Sequence, residues 1–251
     1  MTWAKTVFIL GPAGSGKTSL TESFGRYLEE QGFQTCYVNL DAAVEEVPYD
    51  ADFDIRTYYT VRDIMRREKI GPNMALIRSV EELLRYEDQI KKFVEYASEN
   101  YDYILVDTPG QLELTLFYDA SIKIMRIFSE RTRACGVFLI PADIVHSVRD
   151  LAFLKLMALA TRYRIDVPVV SAITKADLNP KIDEVLSIED EKYGEIMLEG
   201  AQKDLVEELW KIISRLEKKQ RVVKICIPRR EGLDDLHTLI YEVFCTCGDL
   251  S

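Results

Sequence analysis

Near the start of the chain, Gly11-Pro12-Ala13-Gly14-Ser15-Gly16-Lys17-Thr18 brings together three glycines, a lysine and a hydroxyl. The spacing is that of G-x-x-x-x-G-K-[ST], lying between an apolar, β-branched run and a helical pattern that Lys17 opens and that continues to about Glu30. Glycines at these positions let successive backbone amides converge on a β-phosphate, and the following helix adds its positive end. Lys17 is expected to reach the β- and γ-phosphates, and Thr18 to offer its hydroxyl to Mg²⁺. The expected cradle comprises Pro12, Ala13, Gly14, Ser15, Gly16, Lys17, Thr18 and Ser19. A plain glycine-rich turn would need neither the lysine nor the hydroxyl. The loop alone does not separate ATP from GTP, or hydrolysis from phosphoryl transfer.

Two carboxylates follow at predicted strand ends. Asp107, in Asp107-Thr108-Pro109-Gly110-Gln111, closes the apolar run Tyr103 to Val106, where ligands gather in open α/β sheets. It is expected to hold Mg²⁺ through a water, with the Gly110 amide free to approach the γ-phosphate, a strand-terminating Pro-Gly bend being the plain alternative. Gln111 resembles the glutamine that orients the attacking water in many GTPases. Asp41 ends the run Thr35 to Leu40 and is read as a second Mg²⁺-side carboxylate or as a proton acceptor for that water, with a helix N-cap as the alternative. Further on, Thr174-Lys175-Ala176-Asp177 resembles the [NT]-K-x-D motif of GTPases. Asp177 could accept from both guanine N1–H and the exocyclic amine, donors that adenine does not present together, while the Lys175 stem lies along the ring. Pro228 and Arg229 follow the last run and could close the base pocket or be an ordinary turn.

Something must position these residues. Apolar runs at Thr6 to Leu10, Thr35 to Leu40, Tyr103 to Val106, Gly136 to Ile140, Val167 to Ile173 and Val222 to Ile227 alternate with helical patterns, the signature of a parallel sheet. Near-continuous hydrophobicity means that both sheet faces are covered. The fold class is therefore α/β, a doubly wound, mostly parallel sheet flanked by helices. With no linker, low-complexity tract or repeat, residues 1–251 read as one domain with insertions at about 41–101 and 181–220. Inside the first, Gly71-Pro72-Asn73 reads as a turn between a helix ending near Ile70 and another starting near Val80.

Composition narrows the partners. Lys and Arg total 32 against 42 Asp and Glu, a net charge of -10 with basic residues scattered, which argues against direct nucleic-acid binding. Five cysteines without a C-x-x-C pair suggest neither a disulfide framework nor a zinc site, so a reducing compartment is expected. No apolar run is long enough to cross a bilayer and the N-terminus runs straight into a strand, so the expectation is a cytoplasmic protein. His146 and His237 read as surface or packing residues, and the Tyr-rich stretch Tyr49 to Tyr59 as core or interface.

The ordered set of Lys17-Thr18, Asp41, Gly71-Pro72-Asn73, Asp107 to Gln111 and Thr174 to Asp177 resembles the GPN-loop GTPases over nearly the whole chain. The resemblance implies a P-loop GTPase core, GTP hydrolysis to GDP and phosphate with Mg²⁺, and a homodimer that switches conformation with nucleotide. It also implies that the Gly-Pro-Asn loop of one subunit reaches the phosphates of the other, with Asn73 at the partner's γ-phosphate. Without an arginine finger or an early P-loop lysine, charge would be neutralised by Lys17, Mg²⁺ and loop amides. The resemblance further raises a protein client and a part in assembling a larger complex such as RNA polymerase. A nucleoside or nucleotide kinase and a nucleotide-gated scaffold remain alternatives at this level.

Overall fold

A computed structural model describes residues 3–190, 201–216 and 222–246 of the chain. Among the described residues, strands β1 (Lys5–Leu10), β2 (Thr35–Asn39), β3 (Phe53–Asp54), β4 (Tyr103–Asp107), β5 (Arg133–Pro141), β6 (Val169–Thr174) and β7 (Val223–Ile225) form one sheet. The order is β3-β2-β4-β1-β5-β6-β7, and every pairing is parallel. The six runs seen in the sequence are all strands of this sheet, as the doubly wound reading requires. β3 was not foreseen: it pairs with β2 only through Val38↔Phe53 and Asn39↔Asp54, too short a segment to carry a period-two signal.

The continuous apolar strands are explained by two cores. Val7, Ile9, Leu105, Val137 and Leu139 pack with Leu20, Phe24, Leu236 and Ile240 of helices α1 (Lys17–Glu30) and α10 (Leu233–Thr246). Their strand neighbours Phe8, Leu10, Val106, Phe138 and Ile140 face the opposite core. That core is built with α2 (Val61–Glu68), α3 (Pro72–Glu82), α4 (Glu87–Asn100), α5 (Leu112–Leu116), α6 (Asp119–Ser129) and α7 (Val148–Ile165). Successive strand residues point to opposite faces, so two apolar faces need an unbroken apolar run. On the same side, α8 (Ile182–Asp190) and α9 (Ala201–Leu216) contribute Ile182, Val185, Trp210 and Ile213. The middle of the expected 181–220 insertion lies outside the described residues.

The 41–101 stretch is mostly helical, and Ile64, Ala75 and Val80 are buried in the same core as Phe8. A capping box between Thr60 and Asp63 starts α2, and Lys69 ends it in the left-handed region at φ 56°. Here the sequence reading needs correction. The next helix starts not near Val80 but at Pro72, with Gly71 as its N-cap and Pro72 in its first turn. Proline is favoured there because its missing N–H would have had no helical partner and its φ already suits a helix. No described helix is long and apolar enough to cross a membrane.

Candidate functional site

The carboxyl ends of β1, β2, β4 and β6 converge on the phosphate loop. Gly11 leaves β1 at φ 144°, and a Cβ there would come within 2.9 Å of both the Leu139 carbonyl oxygen and Ser15 Oγ. Gly16 caps α1 at φ 93°. Only glycine meets both demands without strain. Lys17 follows, 6% exposed, and its Nζ donates to the carbonyls of Gly11 (3.0 Å), Pro12 (3.1 Å) and Gly110 (2.8 Å). The Thr174 hydroxyl donates to the Ser15 carbonyl at 2.8 Å, tying the end of β6 to the same loop.

Asp107, 1% exposed, ends β4 beside this lysine. Its Oδ2 accepts from the Tyr49 hydroxyl at 3.0 Å, whereas its Oδ1 is buried with no hydrogen-bond partner. Burial raises its pKa to about 6, with the Thr18 and Tyr49 hydroxyls and the Lys17 charge opposing and Asp41 reinforcing the rise. The same burial, opposed by Asp107, Asp41 and Glu113, pulls Lys17 below the ordinary lysine range. Tyr49 is pushed upward by burial and by the neighbouring Asp107 charge, so it stays a phenol that can donate.

Asp41 stands just beyond β2. Its Oδ1 accepts the Ala43 amide (2.8 Å) and its Oδ2 the Gly110 amide (2.8 Å). Burial raises its pKa, against those amides and Lys17. The Gly110 amide, expected to be free for the γ-phosphate, is thus engaged by Asp41. Asp41 is the acceptor within reach, and an amide in a half-buried turn takes one. Asn39, fully buried, orders this corner: Oδ1 accepts the Asp41 amide (3.0 Å), while Nδ2 donates to the Asp41 carbonyl (3.3 Å) and to Asp54 Oδ1 (3.0 Å). Asp54 in turn is paired with Arg56, whose Nε and Nη2 both reach its carboxylate.

Gln111 is half-buried at the N-cap of α5 without capping it through its side chain. At the other end of the site, Lys175 adopts φ 57° and its Nζ pairs with Asp143 Oδ2 at 2.8 Å. Asp177 is exposed and lines a cavity of about 230 Å³ together with Arg229, Asn179, Lys224 and Glu231. Pro228 is exposed in the adjoining turn Ile227–Arg229. Asn179 Nδ2 donates to the carbonyls of Ala142 (2.9 Å) and Val145 (2.7 Å), fixing the Asp177 turn against the exit of β5.

Lys17, Thr18, Asp41, Asp107 and Gly110 are therefore one cluster, and Asp177 and Arg229 line a separate cavity. Asn73 is joined to neither: it is exposed on the first turn of α3. Sequence reasoning missed Tyr49, Asn39 and Asn179. Tyr49 lay in a Tyr-rich run, and Asn179 in an Asn-Pro pair that reads as a turn. His237 is half-buried among Phe24, Tyr27, Phe33 and Tyr103, a packing residue as read.

A family model described as "Conserved hypothetical ATP binding protein" matches residues 9–246. The GPN-loop GTPase PAB0955 of Pyrococcus abyssi is 34% identical, over 98% of this chain and 99% of its own. This chain belongs to the GPN-loop GTPase family. GPN-loop GTPase 3 of Dictyostelium discoideum is 31% identical over 80% of this chain and 68% of its own length. The crystal structure of the Pyrococcus GTPase in apo form superposes with a TM-score of 0.83 at 32% identity, covering 97% of this chain and 98% of that one. The wording of the family model names ATP, whereas the relatives are named GTPases. The protein is a nucleotide-binding GTP hydrolase on a P-loop fold.

Proposed function

We propose that this GPN-loop GTPase hydrolyses GTP to GDP and phosphate with Mg²⁺ at the cluster around Lys17, as a single P-loop domain over residues 1–251 carrying helical insertions. The observation that carries the reading is Asp107 Oδ1, a buried carboxylate oxygen with no protein partner beside Thr18 and Lys17. Such an atom costs free energy unless a partner arrives. Among the described residues no cluster of three or more His, Cys, Asp and Glu side chains could hold a metal alone. That suits Mg²⁺, which is usually held by one or two carboxylates, waters and substrate phosphates. Thr18, Asp107 and Asp41 would hold it; when bound, it neutralises charge on the β- and γ-phosphate oxygens.

The chain's own residues do the rest. The amides from Pro12 to Ser19 cradle the phosphates, and Lys17 turns from its carbonyl partners to the β- and γ-phosphate oxygens. The Gly110 amide can exchange its Asp41 acceptor for the γ-phosphate, which makes that turn the element sensing whether the phosphate is present. Gln111 orients the attacking water, and Asp41 accepts its proton. Asp177 and Lys175 read guanine, with Pro228 and Arg229 at the edge of the base pocket.

The same reading makes the protein a cytoplasmic homodimer in which Gly71, Pro72 and Asn73 of one subunit reach the partner's site, Asn73 being exposed on its own. It extends to a protein client in assembly of a larger complex such as RNA polymerase, without direct nucleic-acid or membrane contact. Single-turnover hydrolysis tests the chemistry. Gln111→Leu should slow it roughly tenfold or more while GTP affinity stays within a few-fold, because the residue acts on water and not on the phosphate. A parental single-turnover rate in that variant would remove Gln111 from the mechanism.

A further inference from the structure

One side chain touches the catalytic cluster from a segment with no assigned role. Tyr49 sits in the connection between β2 and β3, 9% exposed, and is the residue whose hydroxyl takes Asp107 Oδ2. Val47 and Ala51, two positions to either side, pack against the same core, so the segment is docked on the protein around Tyr49. The Tyr49 ring stacks on Tyr37 with centroids 5.3 Å apart and planes 19° from parallel. Tyr37 is itself held: its hydroxyl donates to Glu29 Oε1 at 2.9 Å and its amide to Asp52 Oδ2 at 2.8 Å. Asp52 Oδ1 accepts the Tyr101 hydroxyl at 2.8 Å, closing the support on the far side. The phenol is therefore delivered to Asp107 by a braced ring and not by a free side chain.

A carboxylate at a strand end can rotate about its last torsion and present either oxygen. With Oδ2 taken by the phenol, Oδ1 is the buried oxygen left unpartnered. We propose that Tyr49 is a positioning residue for Asp107: its hydroxyl fixes the carboxylate so that Oδ1 faces the magnesium side of the nucleotide. The inference rests on the reading of Asp107 as the carboxylate of that side. It also gives the β2–β3 connection a function, since any rearrangement of residues 42–52 that withdraws Tyr49 removes one of the two hydroxyls, Tyr49 and Thr18, that act on the Asp107 carboxylate. A structure-only role for the stacked pair would instead make the phenol oxygen dispensable.

The deciding measurement is release of a fluorescent GDP analogue across a Mg²⁺ titration, repeated in EDTA for affinity without metal. Tyr49→Phe keeps the ring and removes one oxygen. It should raise the Mg²⁺ concentration for half-maximal GDP retention roughly tenfold or more, the effect of one hydrogen bond to a charged group, with metal-free affinity and melting near parental. Tyr37→Phe, which cuts the Glu29 bond but leaves the phenol on Asp107, should leave the Mg²⁺ response parental and reports the cost of loosening the brace alone. Asp107→Asn serves as the reference for the carboxylate. If Asp107→Asn shifts the Mg²⁺ response and Tyr49→Phe does not, the positioning role is overturned. It is equally overturned if Tyr49→Phe weakens metal-free GDP binding by the same factor. If Asp107→Asn itself leaves the response parental, the reading of Asp107 fails and this inference with it. Should Tyr49→Phe melt early, Tyr49→Met, which keeps bulk without the oxygen, provides the second comparison at matched folded fraction.

Discussion

Replacing Asn39 with alanine should loosen the whole corner around Asp41, and the size of the effect follows from its bonds. Asn39 is fully buried, accepts the Asp41 amide at 3.0 Å, and donates to the Asp41 carbonyl at 3.3 Å and to Asp54 Oδ1 at 3.0 Å. Asp54 keeps its pairing with Arg56, so its loss is partial. The Asp41 amide, half-buried and donating to Asn39 Oδ1, is different, because a donor stranded without its acceptor costs more than an average bond gains. At about 1 kcal/mol per bond and somewhat more for the stranded amide, Asn39→Ala should lose about 3 kcal/mol. For a chain of this size that is a fall in Tm of about 6–12 °C. Urea unfolding should show a lower midpoint with an unchanged m-value. Because Asp41 also holds the Gly110 amide, single-turnover GTP hydrolysis should drop about tenfold or more at temperatures where the variant is folded. A loss below about 1 kcal/mol with parental hydrolysis would refute the argument that Asn39 orders the site.

Other consequences are as direct. GTP and GDP should bind at least about tenfold more tightly than ATP and ADP, and Asp177→Asn should erode that preference without lowering Tm, since Asp177 is exposed; equal competition by ATP against the parent would remove Asp177 as the base reader. Asn73→Ala and Lys17→Ala subunits, each nearly inactive, should when mixed recover toward half of parental activity per mixed dimer, because one composite site then has an intact phosphate loop and an intact donor loop; no recovery despite proven subunit exchange would leave Asn73 as an ordinary first-turn residue. Burial, reinforced by the Lys5 charge, holds the His237 pKa below its ordinary value of 6.5. The unfolded chain therefore takes that proton first, and the stability His237 contributes is full above about pH 6.5 and declines as pH falls from there through its lower folded pKa. His237→Phe should accordingly flatten the fall in Tm between about pH 7.5 and 5.5, and parallel curves for the two proteins would dismiss the effect.

What the sequence shows and hides here has physical causes. The phosphate loop was legible because backbone amides converging on a phosphate leave few residue types possible, as the crowding at Gly11 illustrates. The strands were legible because two buried faces demand unbroken apolar runs. Asp107, Asp41 and Thr174 were found by position, each at the carboxyl end of such a run. Tyr49 was not, since its bond to Asp107 spans 58 positions and leaves no local pattern. The start of α3 was misplaced because Gly71-Pro72-Asn73 contains two residues that break helices in their interior and favour them at their beginning. The Gly110 amide was assigned by motif alone, which says nothing of a competing acceptor 69 residues earlier.

That competing acceptor bears on how such a site could switch. Lys17 and Asp41 hold the Asp107–Gln111 turn from two sides: the ammonium takes the Gly110 carbonyl and the carboxylate takes the Gly110 amide. On the proposed reading, a β-phosphate alone can draw on Lys17 and the loop amides but has no claim on the Gly110 amide. A γ-phosphate competes for both, so GTP and GDP differ in whether the Asp41 bond is replaced. The differential free energy is then at most about that of one charge-assisted hydrogen bond, on the order of 1–3 kcal/mol. A shift of that size is enough to move a nearly balanced two-state turn but not to drive a strongly biased one. The turn leads directly into α5, whose Leu112, Leu114 and Leu116 are buried in the large core shared with α2 and α3. Displacement at Gly110 therefore cannot remain local: buried leucines either stay and oppose it or carry it to the helices that bear Gly71, Pro72 and Asn73.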